Sequence, residues 1–148
     1  MMRGVGTQLL GSRMYETMAV WEADPALAEE SAVMADFAAA WQDSDKVVYS
    51  STLTDPVTAR TRIVPAFEAD EVRALKEGSS ADLLVGGPEI AAHALRAGVV
   101  DELLLMISPV ALGAGKAALP ADLRVDLELI DERRFGNGAV HLAYRVRR

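Results

Sequence analysis

Apolar positions along the chain switch between strand-like runs and helical spacing, and the switches mark out its elements. Residues 8–10 close a short buried strand stopped by Gly11, and in the following SRMYETMAVWE the side chains Met14, Met18 and Trp21 recur at helical spacing. Positions 25–42 place Leu27, Val33, Met34, Phe37, Ala38 and Trp41 on one apolar face, with Pro25 suited to a first helical turn. KVVY at 46–49 is a compact β-branched strand, residues 62–64 make another, and 68–77 read as an exposed amphipathic helix around Val72 and Leu75.

The most regular stretch follows: strand DLLV, the turn Gly86-Gly87-Pro88, helix EIAAHALRAG and strand DELLLMIS, a βαβ unit with short loops. A glycine-containing connection leads to two last strands, 125–134 and 140–146, joined by the turn Gly136-Asn137-Gly138 as an antiparallel hairpin. The pattern predicts an α/β domain with a mixed, mostly parallel sheet flanked by helices and ending in that hairpin.

Composition narrows the class. A chain of 148 residues makes one domain, and 51% hydrophobic positions with no cysteine exclude a disordered tail and a disulfide-stapled module. The longest uncharged apolar run, 103–115, contains Ser108 and Pro109 and is too short for a membrane span. The first ten residues lack the long apolar region of a signal peptide, so cytoplasm is the expected compartment. A net charge of −7 argues against a nucleic-acid surface, and the small clusters Arg60/Arg62 and Arg145/Arg147/Arg148 do not overturn that.

Candidate chemistry collects at strand ends. Gly86-Gly87-Pro88 follows a strand and opens a helix, so its bare N–H groups suit an anionic phosphate, although a tight βα turn needs the same glycines. Gly11, Ser12 and Arg13 repeat the layout, with Arg13 either a phosphate fork or a solvated side chain. Ser50 and Ser51 offer hydroxyls to a ribose or phosphate, or simply form a turn. Together, three such turns at three strand ends indicate a nucleotide cleft. His93 and His141 have no partner at metal-ligand spacing and read as structural, with no metal site visible, and no nucleophile elbow or catalytic serine is evident. Glu16, Asp101 and Glu102 are possible acids or surface charges, and the catalytic residue is left unassigned.

Taken in order, LLGSRMYE, KVVYSSTL, DLLVGGPEIAAHAL, VDELLLMISPVALGAGKAALP and ERRFGNGAVHLAYR resemble the dihydrofolate reductase-like family. Within it, GGPE, VDE and PVALGAGK are most similar to the C-terminal reductase domain of the bifunctional riboflavin biosynthesis protein and its stand-alone bacterial relatives. The resemblance implies NADPH bound across the strand ends, hydride transfer to a small heterocyclic substrate such as 5-amino-6-(5-phosphoribosylamino)uracil, and a homodimer. It places Gly11, Ser12 and Arg13 near the NADPH phosphates, Ser50 and Ser51 at the adenosine 2′-phosphate, and Gly86, Gly87, Glu89 and Ile90 at the pyrophosphate.

Two departures from the family pattern carry expectations. Arginine commonly follows the first-motif glycine directly, whereas Ser12 intervenes here, so phosphate affinity at this motif is expected either to be weaker or to be carried by Arg13 alone. Members also usually begin with a strand and loop of the type SLDGFIAGP, and nothing here corresponds, so one central strand and part of the substrate pocket are expected to be missing. Two neighbouring backbone edges would then be exposed, to be covered by a partner subunit or a strand swap. A non-catalytic nucleotide-binding or dimerisation module that keeps the fold stands as the alternative.

Overall fold

A computed structural model describes residues 4–147. Four parallel strands, β1 (Val5–Gly11), β2 (Asp45–Tyr49), β3 (Thr61–Val64) and β4 (Asp82–Gly86), form one sheet in the order β3-β2-β1-β4. Successive side chains on a strand point to opposite faces, so these short apolar strands build a core on each side. Leu9, Val47 and Tyr49 pack against α5 (Ala69–Gly78) and α6 (Pro88–Arg96) through Val72, Ile90 and Ala94. Leu10 and Val48 pack on the other face against Tyr15 of α1 (Ser12–Met18) and Trp41 of α4 (Ala32–Asp43). The result is a three-layer α/β sandwich, the fold class expected.

The first two predicted helices are both divided. The 12–22 segment breaks at Ala19 between α1 and α2 (Val20–Ala23), although Ala19 keeps a helical backbone (φ −59°, ψ −21°). The 25–42 segment breaks at Ser31 between α3 (Ala26–Glu29) and α4. Ser31 is extended (φ −163°, ψ 160°) and its hydroxyl accepts from the Met34 N–H, so it starts a new helix. That break turns Val33 out to solvent and removes it from the apolar face predicted for it.

The remaining strands, β5 (Glu102–Ile107), β6 (Asp126–Arg134) and β7 (Val140–Arg147), form a separate antiparallel sheet in the order β5-β7-β6. The terminal hairpin is therefore present, closed by Phe135 N–H to Ala139 O at 2.9 Å. The expected βαβ unit has its crossover helix α6, but β4 and β5 do not pair: among the described residues β4 bonds only to β1, and β5 only to β7. Among the described residues, no helix is long and apolar enough to cross a membrane.

Polar anchors hold the parallel sheet at its amino-terminal side. Gln8 Nε2 donates to Ser44 Oγ at 2.6 Å, and Ser44 Oγ donates to the Trp41 carbonyl at 2.9 Å, all three residues being buried. The Lys46 ammonium lies over the Trp41 ring and donates to the Ala59 carbonyl. Burial pushes its pKa below the ordinary lysine value, against the pull of the Glu22 carboxylate.

Candidate nucleotide site

The four parallel strands end on one side of the sheet, at Gly11, Tyr49, Val64 and Gly86, and the segments after the first three, with Ile90 and His93 of α6, line a hollow of about 370 Å³. Four of the residues singled out from sequence line it: Ser12, Ser50, Ser51 and Ile90. Tyr49, Phe67 and His93 complete much of the wall. The Tyr49 and Phe67 rings meet at 5.4 Å, and Phe67 stacks on His93 at 5.8 Å and 22°. Burial raises the Tyr49 pKa above its ordinary value, with Arg62 opposing, so its phenol keeps its proton at neutral pH.

The β2–β3 connection that carries the two serines is fixed from below. The Tyr15 hydroxyl accepts from the Val57 and Thr58 N–H groups at 2.8 and 3.0 Å and lies 3.0 Å from Thr58 Oγ1. Ser50 Oγ accepts from the N–H groups of Thr52 and Leu53 and lies 3.4 Å from Thr52 Oγ1, so this hydroxyl shapes the turn. Ser51 is exposed beside it.

Beside the hollow, Gly87 caps α6 with φ +94°, a left-handed backbone that side-chain-bearing residues rarely adopt. Gly86 is constrained by contact instead, since a Cβ there would meet Leu10 Cδ2 at 3.0 Å. Helix α6 has Pro88 in its first turn and no side-chain cap, and its first internal bond runs from the Ala91 N–H to the Gly87 carbonyl. The N–H groups of Glu89 and Ile90 thus lack a carbonyl partner within the helix, at its positive end. Gly11 packs near this turn, its missing Cβ lying 3.5 Å from Ile90 Cγ1, and Arg13 is exposed on α1.

The Glu89 side chain faces elsewhere. It pairs with Lys116 and lines a second hollow of about 350 Å³ between α6 and the 116–121 segment, with Arg96 bonded to Asp122 at 2.7 Å. The hydrogen bond and charge of Lys116 hold the Glu89 carboxyl below its usual range, so only the backbone N–H of Glu89 is free for an anion at the glycine turn. His93 lies between the two hollows and lines both. Sequence reasoning missed Phe67, Tyr49 and His93 as site residues. The available signal was an aromatic residue just past a strand end, three positions after β3, outside any helical periodicity.

Trp21 packs on Phe37 at 4.7 Å, against the buried cluster around Trp41. No group of three or more His, Asp or Glu side chains able to hold a metal occurs among the described residues.

Comparison with known proteins decides the family. The family model for the RibD C-terminal domain matches residues 1–141. The chain belongs to that family. It is also similar to the uncharacterized protein YyaP of Bacillus subtilis, 35% identical over 77 residues, a match spanning 51% of this chain and 41% of YyaP. Among solved structures, a putative riboflavin biosynthesis protein from Shewanella sp. PV-4 superposes with a TM-score of 0.75 at 16% identity, covering 99% of this chain and 77% of that one. A pyrimidine reductase-like protein from Corynebacterium diphtheriae gives 0.58 at 13% identity, covering 99% of this chain and 78% of that one. RibD of Acinetobacter baumannii gives 0.58 at 14%, covering 97% and 47% respectively. At these identities the structural matches speak for the fold, which the RibD C-terminal domain family shares with the present chain.

Proposed function

We propose that the protein is an NADPH-dependent reductase acting on a small heterocyclic substrate of the riboflavin-pathway type, such as 5-amino-6-(5-phosphoribosylamino)uracil. The observation that carries this reading is the convergence of Ser12, Ser50, Ser51 and Ile90 on one hollow at the carboxyl ends of a parallel sheet, beside the uncapped start of α6. Membership in the RibD C-terminal domain family supports it.

The residues present fit a dinucleotide. Gly87 gives the chain a sharp turn, and the free N–H groups of Glu89 and Ile90 face the position of a pyrophosphate. Ser50 and Ser51 supply hydroxyl donors on the adenosine side, and Phe67 backed by His93 gives a flat wall for a base. Arg13 adds a guanidinium at the edge, one position later than the usual arginine. The nicotinamide cofactor, when bound, supplies the hydride, and the protein binds and orients it.

The test is NADPH oxidation with that ribosylaminopyrimidine as acceptor, followed by the absorbance of the reduced nicotinamide. Substrate-dependent oxidation, lost in Gly87→Val, supports the reading. NADPH binding without turnover points to a non-catalytic nucleotide-binding module, and no binding at all refutes the site.

A further inference from the structure

The β2–β3 connection, residues 50–60, carries Ser50 and Ser51 and has little apolar surface to hold it in place. Only Thr58 in it is buried; Ser50 and Leu53 are half-buried and the rest are exposed. It ends on Arg60, whose φ of 54° is the only positive φ at a non-glycine among the described residues. Backbone in that state persists where its surroundings over-determine it. Three side chains from other elements do so. The Tyr15 hydroxyl of α1 accepts from the Val57 and Thr58 N–H groups at 2.8 and 3.0 Å. Glu22 Oε1 of α2 accepts from the Ala59 N–H at 2.7 Å. Lys46 Nζ of β2 donates to the Ala59 carbonyl at 3.3 Å and lies 3.9 Å from the Glu22 carboxylate.

The hydroxyls in this cluster form a chain with one direction. Thr61 Oγ1 donates to the Ala59 carbonyl at 3.0 Å, which commits its single proton. The 2.8 Å bond between Thr58 Oγ1 and Thr61 Oγ1 is therefore donated by Thr58, and the 3.0 Å bond between Tyr15 and Thr58 Oγ1 is donated by Tyr15. Tyr15 thus uses its proton and its lone pairs entirely on this connection. It is fully buried, its ring packed with Leu10, Trp41 and Val48, and Leu53 packs against the same cluster. The connection is tied to that cluster at Leu53 and again at Val57, with only 54–56 between.

We propose that Tyr15 is a positioning residue for the adenosine side of the nucleotide site, holding the 50–60 connection so that Ser50 and Ser51 meet a 2′-phosphate and NADPH is preferred over NADH. The proposal rests on the cofactor reading given above. Tyr15 does not line the hollow, so it acts through the serines. Hydrogen bonds to a charged phosphate are strong and sensitive to geometry, and NADH lacks that phosphate. The other contacts expected for a dinucleotide, at the start of α6 and on the Phe67 ring, belong to elements that the Tyr15 hydroxyl does not touch.

The test is calorimetric titration of NADPH and NADH into the 148-residue chain and into Tyr15→Phe, which keeps the ring and removes only the hydroxyl. Leaving two N–H groups without their acceptor should weaken NADPH binding about tenfold and change NADH binding by no more than about twofold. Amide exchange should quicken at Val57 and Thr58 and stay slow at Leu9 and Val47, with circular dichroism unchanged. Thr58→Val, which removes the acceptor of the Tyr15 proton, should lower NADPH selectivity in the same direction, and Thr58→Ser should retain it. These two variants carry the test if Tyr15→Phe does not fold. Equal loss of both nucleotides marks Tyr15 as structural only and overturns the proposal, as does unaltered selectivity. An unsubstituted chain that binds neither nucleotide, or both equally, fails before any substitution is made, and that result refutes the cofactor reading itself.

Discussion

The parallel and antiparallel halves of the molecule are built from similar proportions of apolar strand, yet they are buried very differently. Both clusters of buried apolar side chains lie in the parallel half, where helices cover each face and Leu10, Tyr15, Trp41 and Val48 are at most 2% exposed. The antiparallel half has no helical layer of its own, and only Ala143 of its strands is buried. Burial of apolar area drives folding at about 25 cal/mol per Å². Stability is therefore concentrated in the half that carries the candidate site, and the strands of the other half are mostly exposed or half-buried.

The comparison can be broken first in the core. Trp41→Ala should cost roughly 3–5 kcal/mol, because a fully buried ring is removed and its neighbours collapse only in part. Urea denaturation measures this, and a loss below 1 kcal/mol would show that the parallel half does not dominate stability. Ser44→Ala should cost about 1–3 kcal/mol by leaving the buried Gln8 amide without its acceptor.

Gly87→Val tests the site rather than the core. It forces a branched side chain into a φ of +94° and should weaken NADPH binding at least tenfold, about 1.4 kcal/mol. On the antiparallel half, Leu129→Ala, at a position 48% exposed, should change stability by no more than about 0.5 kcal/mol.

The smallest effect is the pH dependence of the Lys116–Glu89 pair. The folded carboxyl is held below its ordinary value of 4.5, so the pair's contribution is present above that pH and is lost as pH falls through the lowered value. Nuclear magnetic resonance titration of the Glu89 carboxyl should show its midpoint return to the ordinary range in Lys116→Gln.

Much of this arrangement was legible in the sequence. Strands such as KVVY and DLLV carry three consecutive apolar residues because both faces of the sheet are covered. The glycine pair before α6 marked a turn that needs a positive φ, at Gly87. Other features depend on tertiary contacts that spacing does not encode. The break at Ser31 is a capping choice within a sequence whose periodicity continues through it, and that periodicity alone places Val33 on the apolar face. His93 reads as an ordinary helical residue until Phe67 arrives from another element to stack on it. The separation of β4 from β5 is likewise a matter of pairing, since a crossover helix between two strands says nothing about whether they become neighbours.

Calorimetric titration of NADPH, with NADH in parallel, tests the central claim most directly. The account predicts saturable binding of one NADPH per chain that Gly87→Val abolishes or weakens at least tenfold and that Leu129→Ala leaves unchanged. Absence of binding, or affinity indifferent to Gly87, would contradict it.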